Sequence, residues 1–269
     1  MRVSIVTISF NQVRFLKAAI NSIVSQGFHD LEYVVVDPGS TDGSREVIKQ
    51  YGEQISKLIL EPDAGPADGL NKGFACATGE ILGFVNADDE LLPHSLQFVA
   101  DYFEEHPEID VLLGCGWIVD ETGRVLRHIV PSGFSLLHSA FGRFEFIQQA
   151  VFFRRSVFES IGGFNKLNRI SWDGELLVDM AIAGVRFART EKELGVFRIY
   201  PSSISGSSNY LQKLLLENER LFQKIMGRGS RGYDPVLGLM LLVSKWILDP
   251  WYVYWRLVRN FRIKIFSPD

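Results

Sequence analysis

Ile81-Leu-Gly-Phe-Val-Asn-Ala-Asp-Asp89 runs a short apolar segment straight into an amide and two carboxylates. An apolar stretch of this length, closed by polar turn residues, predicts a strand at Ile81–Val85 that is buried on both faces of a parallel sheet. The same grammar recurs on its N-terminal side. Val3–Ile8 is rich in β-branched residues, and Asn11 stands as the N-cap of a helix whose apolar positions Leu16, Ile20 and Ile23 keep helical spacing until Gly27. Tyr33-Val-Val-Val36 ends in Asp37-Pro38-Gly39 and precedes a helix that turns Val47, Ile48 and Tyr51 inward. Lys57–Leu60 leads into a helix around Leu70 to Ala77 that stops at Gly79. Four β-α repeats within about ninety residues predict an α/β fold with a mostly parallel sheet flanked by helices. In such folds ligands bind beyond the carboxyl ends of the strands.

Working outward to the C-terminal side, Pro93 opens a helix that buries Leu96, Val99 and Phe103. Val111–Leu113, Trp117–Val119 and Val125–Val130, turned by Glu121-Thr-Gly123, then read as strands that close the far side of the sheet, not all of them parallel. Residues 147–205 mix short elements with polar loops, and Lys213–Ile225 is helical. Gly227-Arg-Gly-Ser-Arg-Gly232 spells the dinucleotide-binding pattern, but it follows a helical stretch instead of a strand, so it reads as a flexible linker.

Charge and cysteine content exclude several classes. The chain nets −4 over 269 residues, yet residues 245–264 set Lys245, Arg256, Arg259, Arg262 and Lys264 against Asp249 alone. That asymmetry argues against nucleic-acid binding by the main body and for an anionic surface near the tail. The tail also carries the apolar run Val236–Val243 and the aromatics Trp246, Trp251, Tyr252, Tyr254 and Trp255. Lys245 and Asp249-Pro250 interrupt it before it reaches the roughly twenty apolar residues of a spanning helix, so the expectation is an interfacial helix on a membrane. Packing of the same helices on protein is the plainer alternative. Cys76 and Cys115 are too few for a disulfide framework, which fits a reducing compartment. The apolar start is too short for a signal-peptide core and reads as a first strand.

Acidic groups sit just after the predicted strands: Asp37, Asp63 after Leu58–Leu60, and Asp88-Asp89 after Val85. Carboxylates gathered at one sheet edge repel each other and are costly to desolvate, so a cation or polar ligand is expected to compensate them. Mg2+ and Mn2+ favour oxygen ligands, and one aspartate with substrate phosphates suffices. The bland readings are that Asp88-Asp89 caps the next helix and that Asp37 makes a turn with Gly39 and Ser40.

Four segments together are more specific than any one: Ser4-Ile-Val-Thr-Ile-Ser-Phe-Asn11; Asp37-Pro-Gly-Ser-Thr-Asp-Gly-Ser44; Asp68-Gly-Leu-Asn-Lys-Gly73 with Ala77-Thr-Gly-Glu80; and Phe84-Val-Asn-Ala-Asp-Asp89. In order and spacing they resemble the family 2 glycosyltransferases, which implies a GT-A type fold and inverting sugar transfer from a nucleotide diphosphate sugar, UDP-linked, to a glycan or lipid-linked acceptor, in bacterial surface polysaccharide synthesis. The resemblance implies that Thr7, Ser9 and Asp37 line the base pocket, that Asp63, Asp68, Asn71 and Lys72 form a donor-side loop, and that Asn86 contacts ribose. It makes Asp88 the ligand of a divalent metal, Mn2+ or Mg2+, and puts Arg198 near the donor phosphates.

Downstream, Ser171-Trp-Asp-Gly-Glu-Leu176 resembles the family segment that carries the catalytic base, which implies Asp173 in that role and Glu175 as a fallback on the acceptor side. Asp173 as a plain helix N-cap is the alternative. Gln148-Gln-Ala-Val-Phe-Phe-Arg-Arg155 resembles the acceptor-side segment, with Gln149 as its match, and Tyr200 occupies a place where some relatives carry a metal-binding histidine. The expected organisation is a catalytic domain over 1–210, with a nucleotide-sugar half to about 115 and an acceptor half beyond it, then a helical extension over 211–269. The expected location is the cytoplasm, at the inner face of the membrane. Two other functions compete: a non-catalytic nucleotide-sugar-binding subunit, and a sugar-nucleotide pyrophosphorylase, whose Gly-rich phosphate loop is missing from residues 9–14.

Overall fold

The computed structural model describes residues 1–207, 210–250 and 252–258. Trp251, Arg259, Arg262 and Lys264 of the predicted basic tail lie outside the described residues. The first ninety residues form the expected repeats: β1 (Val3–Ile8), α1 (Val13–Val24), β2 (Leu31–Val36), α2 (Ser44–Gln50), β3 (Lys57–Ile59), α3 (Pro66–Phe74) and β4 (Ile81–Asn86). β1 pairs in parallel with both β2 and β4, and β3 adds in parallel to β2. β1 and β4 are buried on both faces, so their side chains carry no strict alternation of polarity, whereas the edge strand β3 is exposed at Lys57 and Leu58.

After β5 (Glu90–Leu91) and α4 (Ser95–Glu105) the sheet turns mixed. Its order is β3-β2-β1-β4-β8-β6-β9-β5, where β6 is Val111–Val119, β8 is Val151–Arg154 and β9 is Phe187–Arg198, and β7 (Val125–Ile129) pairs with β6. β8 runs antiparallel between β4 and β6, while β9 runs parallel to β6. The segments Val111–Leu113 and Trp117–Val119, read from sequence as two strands, are one strand with irregular register around Cys115. Glycine makes this possible: a Cβ on Gly116 would sit 2.3 Å from the carbonyl oxygen of Gly195 on β9.

One face of the sheet buries Leu16, Ile20, Leu96, Val99 and Phe103 from α1 and α4. The other is built on aromatic rings, with Phe74 of α3 packed against Phe84, Phe153, Phe158 and Phe164. Against this second face lies α7 (Trp172–Ile182), through Leu176, Leu177 and Met180. Further helices are α5 (Leu136–Ala140), a 3-10 turn at Gln148–Ala150, α6 (Arg155–Ser160), α8 (Tyr210–Met226), α9 (Asp234–Leu248) and a last short helix at Tyr252–Val258.

Two local expectations are corrected. Asn11 does not cap α1: it adopts φ 52°, and its side chain accepts a bond from the Thr41 amide, while Asp42 accepts from the Val13 amide at the helix start. The loop after β2 therefore supplies the cap. The glycine-rich segment between α8 and α9 is a tied turn, since Arg228 bonds both oxygens of Asp234 at 2.8 and 2.7 Å.

Candidate active site

A cleft of about 1000 Å³ opens at the carboxyl ends of β1 and β4, and its walls include Ser9, Pro38, Asp63, Asn86, Asp88 and Asp173. Carboxylates from separate β-α turns and from α7 thus share one cavity. This arrangement follows from the parallel half of the sheet, whose strands all end at the same edge.

At the end of the cleft beside β2, Asp37 is fully buried and does not itself line the cavity, although its neighbour Pro38 does. Its Oδ1 accepts bonds from the amides of Gly39 and Ser40 and from Arg45 Nε at 3.0 Å. Burial pushes its pKa up, but the bonds from Ser40 and Arg45 outweigh it and hold the carboxyl below its ordinary range. Its Oδ2 is buried and has no partner among the described residues, as is also true of Ser9 Oγ. An ionised carboxylate with one oxygen fixed and the other unpaired is ready to accept a ligand N–H.

Four predicted donor-side residues lie behind the wall. Thr7 is buried and accepts a bond from the Tyr33 hydroxyl at 3.1 Å. Asp68 pairs with Lys166 at 2.8 Å and accepts from the Ala64 amide. Lys72 donates to the Pro62 carbonyl, and Asn71 bonds both the carbonyl and the amide of Phe164. Asp68 and Lys72 brace the loop that carries Asp63 into the cleft, and none of the four lines it. Asp63 accepts from the Gly65 amide, and burial raises its pKa.

Asp88 and Asp89 divide their roles. Asp89 is fully buried and accepts bonds from Gln149 Nε2, from Asn86 Nδ2 at 3.1 Å and from the Arg198 amide at 2.8 Å. Burial and then the charge of Asp88 raise its pKa well above the ordinary value. Asp88 faces the cleft, with Oδ2 2.9 Å from the Tyr200 hydroxyl, which is also 2.9 Å from Gln12 Oε1. Desolvation raises its pKa too. Gln149, expected on the acceptor side, is instead buried beneath this turn, where it holds Asp89 and does not line the cleft. The Arg198 guanidinium is committed to Glu90 at 2.6 Å and to the carbonyls of Asp88 and Asp120, so it braces this turn from the cleft wall.

No group of three or more histidine, cysteine or acidic side chains fit to hold a metal occurs among the described residues. The donor set still suits a cation of the Mg2+ or Mn2+ type, because Asp88 is joined at the cleft by a buried Asn86 Oδ1 that has no partner among the described residues. Such ions take one or two carboxylates and complete their shell with phosphate oxygens and water.

At the opposite end, Asp173 sits in the first turn of α7 and accepts from the Gly174 amide at 2.8 Å. Ser171 is the N-cap, so Asp173 is not itself the cap. Burial pushes the Asp173 carboxyl up to about 6. Around it, Gln148 Nε2, Ser171 Oγ and Trp172 Nε1 are buried on cleft-lining residues and have no partner among the described residues. Glu175, two positions on, turns the other way. It is buried against α8, where Arg220 Nη1 at 2.8 Å, Lys224 at 3.0 Å and Asn168 at 2.8 Å hold it. Burial would raise its pKa, yet these partners bring it down to about 2, and it does not line the cleft. A base so strongly stabilised as its anion takes up no proton near neutrality, so Glu175 anchors α7 and the fallback assignment is withdrawn.

Sequence reading did not single out Trp172, Gln12 or the cleft face of α8 formed by Tyr210, Leu214, Asn218 and Leu221. Trp172 had a signal, its place next to Asp173. The α8 face had none, because its residues differ from core residues only by what they pack against.

The family model described as Glycosyl transferase family 2 matches residues 4–162, and the chain belongs to that family. It is 41% identical over 115 residues to an uncharacterized glycosyltransferase of Nostoc sp., covering 42% of this chain and 36% of the other. It is 32% identical over 176 residues to the PGL/p-HBAD biosynthesis glycosyltransferase of Mycobacterium bovis, covering 63% of this chain and 66% of the relative. The chain thus spans between about a third and two thirds of the curated relatives it matches. Among solved structures, S. aureus TarS 1-349 in complex with UDP-GlcNAc superposes with a TM-score of 0.65 at 18% identity, covering 84% of this chain and 72% of that one. The mannosyltransferase PcManGT of Pyrobaculum calidifontis, in complex with GDP-Man and Mn2+, gives 0.58 at 19% identity, covering 98% and 88%. The fold is therefore that of the GT-A glycosyltransferases.

Proposed function

We propose that the chain transfers a hexosyl or N-acetylhexosaminyl group from a nucleotide diphosphate sugar to an acceptor hydroxyl, with inversion, and that Asp173 is the catalytic base. The observation that carries this reading is the shared cleft: Asp88 and Asp173 line one cavity, and the Asp173 carboxyl has a pKa of about 6. A carboxylate with that pKa is ionised at neutral pH, yet it is basic enough to accept the proton of a hydroxyl that is attacking an anomeric carbon.

The steps follow from the side chains. The unpaired oxygen of Asp37 accepts the ring N–H of the base, which suits the imide of uracil, and Ser9 adds a hydroxyl beside it. Asn86 and Asp88 face the diphosphate. A divalent ion bound there, Mn2+ or Mg2+, would be held by Asp88 with Asn86 and would supply charge to stabilise the leaving diphosphate. Gln148 and Trp172 direct N–H groups at the acceptor oxygens and hold the reacting hydroxyl against Asp173. As the hydroxyl oxygen bonds to the anomeric carbon, its proton passes to Asp173, the bond to the phosphate oxygen breaks, and the nucleoside diphosphate leaves.

UDP is the nucleotide this reading favours, supported by the TarS complex with UDP-GlcNAc. We assign the product to bacterial surface glycans, and two cysteines outside any disulfide fit synthesis in the cytoplasm. The test is a panel of UDP- and GDP-sugars scored by metal-dependent thermal stabilisation, followed by nucleotide diphosphate release from the stabilising donor. Asp173→Asn is expected to bind that donor normally and to release almost no diphosphate. Unchanged release would remove Asp173 from the mechanism.

A further inference from the structure

Helix α9 is built inside out. The side it presses on the body holds Gly238 and two charged residues, Asp234 and Lys245, all buried. The side it shows to the surroundings is wholly apolar and includes Val236, Leu239, Met240, Val243, Trp246 and Ile247, the last 71% exposed. Lys245 donates to the Arg143 carbonyl at 2.8 Å and lies 4.4 Å over the Tyr252 ring, and burial lowers its pKa to about 8. A helix bordered by water places its charges outward and its aliphatic groups inward. The reverse arrangement requires an apolar neighbour on the outer side.

Helix α8 extends that surface and relates it to the cleft. Tyr210, Leu214, Asn218 and Leu221 face the cavity, whereas Leu211, Leu215 and Leu216 are exposed on the other side. α8 is thus a partition one helix thick. α9 also holds the adjoining lip, since Lys245 bonds the Arg143 carbonyl and His138 Nε2 lies 3.4 Å from the Leu241 carbonyl.

The charges identify the occupant. Lys213 is exposed on α8 next to Leu216, and the sequence after α9 continues with Arg259, Arg262 and Lys264, while Arg256 is paired with Glu145 at 3.3 Å. The outer face of α9 offers a second copy no charge to pair with, whereas anionic headgroups answer the net basic charge of the sequence that follows it. No single helix among the described residues is long and apolar enough to cross a membrane, and α9 meets the next helix, Tyr252–Val258, at a 90° bend. That geometry suits a segment lying in the interface plane.

We propose that the outer faces of α8 and α9 bed in an anionic lipid surface, with the cleft's α8 wall held against the headgroups. The inference does not depend on the transfer reading, because it needs only the outer surface of these helices.

The experiment is flotation of the full chain with vesicles of phosphatidylglycerol and phosphatidylcholine, compared with vesicles of phosphatidylcholine alone. Binding to the anionic vesicles is expected, weakening with added salt, and at least tenfold weaker binding is expected for Ile247→Glu on α9 and for Leu216→Glu on α8. Both positions are exposed, so the melting temperature of each variant and its stabilisation by UDP-sugar should match the parent. Equal binding to neutral vesicles would overturn the choice of an anionic surface. Absence of vesicle binding would overturn the proposal, and a discrete dimer disrupted by the same variants would assign the face to a second copy. Loss of sugar transfer with vesicle binding intact would bear on the reaction alone.

Discussion

The two ends of the cleft are finished to different degrees. At the nucleotide end the carboxylates are already served: Asp37 has three donors on one oxygen, Asp89 accepts from Gln149, Asn86 and the Arg198 amide, and Asp88 has Tyr200. At the proposed acceptor end Asp173 accepts from the Gly174 amide, and the N–H and O–H groups of the cleft-lining Gln148, Ser171 and Trp172 have no partner among the described residues. At the proposed nucleotide end the protein holds one polar atom each of Asp37 and Asn86 and leaves Asp37 Oδ2, Asn86 Oδ1 and Ser9 Oγ for a ligand, whereas at the proposed acceptor end Asp173 has a single amide donor. Preorganised groups impose position, and unfilled groups impose selectivity, because a ligand that fails to satisfy them leaves them buried and unpaired.

The widest test of this contrast is Asp173→Asn, expected to lower kcat by about a thousandfold while the Kd of the donor stays put. Its counterpart is the pH profile. Asp173 must be ionised to accept a proton and its pKa is about 6, so kcat/KM for acceptor should fall about tenfold per unit as pH drops below 6 and level off above it. A flat profile between pH 5 and 7 would contradict the assignment.

Arg220→Ala probes the support of α7. It removes the principal partner of the buried Glu175, and urea unfolding should show a loss of about 3 kcal/mol. Because Glu175 has a folded pKa of about 2, below its unfolded value, its stabilisation is complete above pH about 4.5 and disappears as pH falls toward 2. The Arg220 effect should fade over the same interval.

Asp37→Asn should weaken donor binding by about tenfold and leave kcat at saturating donor within twofold, because its unpaired oxygen meets the base and not the reacting atoms. The smallest effect belongs to Trp172→Phe. Removing one N–H while keeping the ring should raise acceptor KM by about fivefold and leave donor affinity unchanged, measured by initial rates at varied acceptor. If donor affinity moved instead, the assignment of the two ends would be reversed.

Much of this contrast was legible before any coordinates. β1, β2 and β4 are largely apolar because both faces are covered, with Ser4 and Glu32 bonded to each other, and the acids that follow them are conspicuous for standing where the apolar run breaks. β9 was not legible, since Arg189-Thr-Glu-Lys-Glu193 has no strand-like alternation and takes its form from parallel pairing with β6. Asp173 and Glu175 could not be told apart in sequence because the difference lies in Arg220 and Lys224, some 45 residues away on α8. Lys72 and Asn71 were assigned to the ligand when their partners are protein carbonyls, and a polar side chain does not announce whom it will bond.

Asp89 joins parts of the chain that sequence alone would separate. It belongs to the turn after β4, but Gln149 and the Arg198 amide, both well beyond residue 115, saturate it. Dividing the polypeptide between those regions would leave an unsheltered carboxyl group in one fragment and unanswered donors in the other. The two regions are therefore expected to be inherited, expressed and lost together, and damage at Gln149 should register first at the nucleotide's end of the molecule.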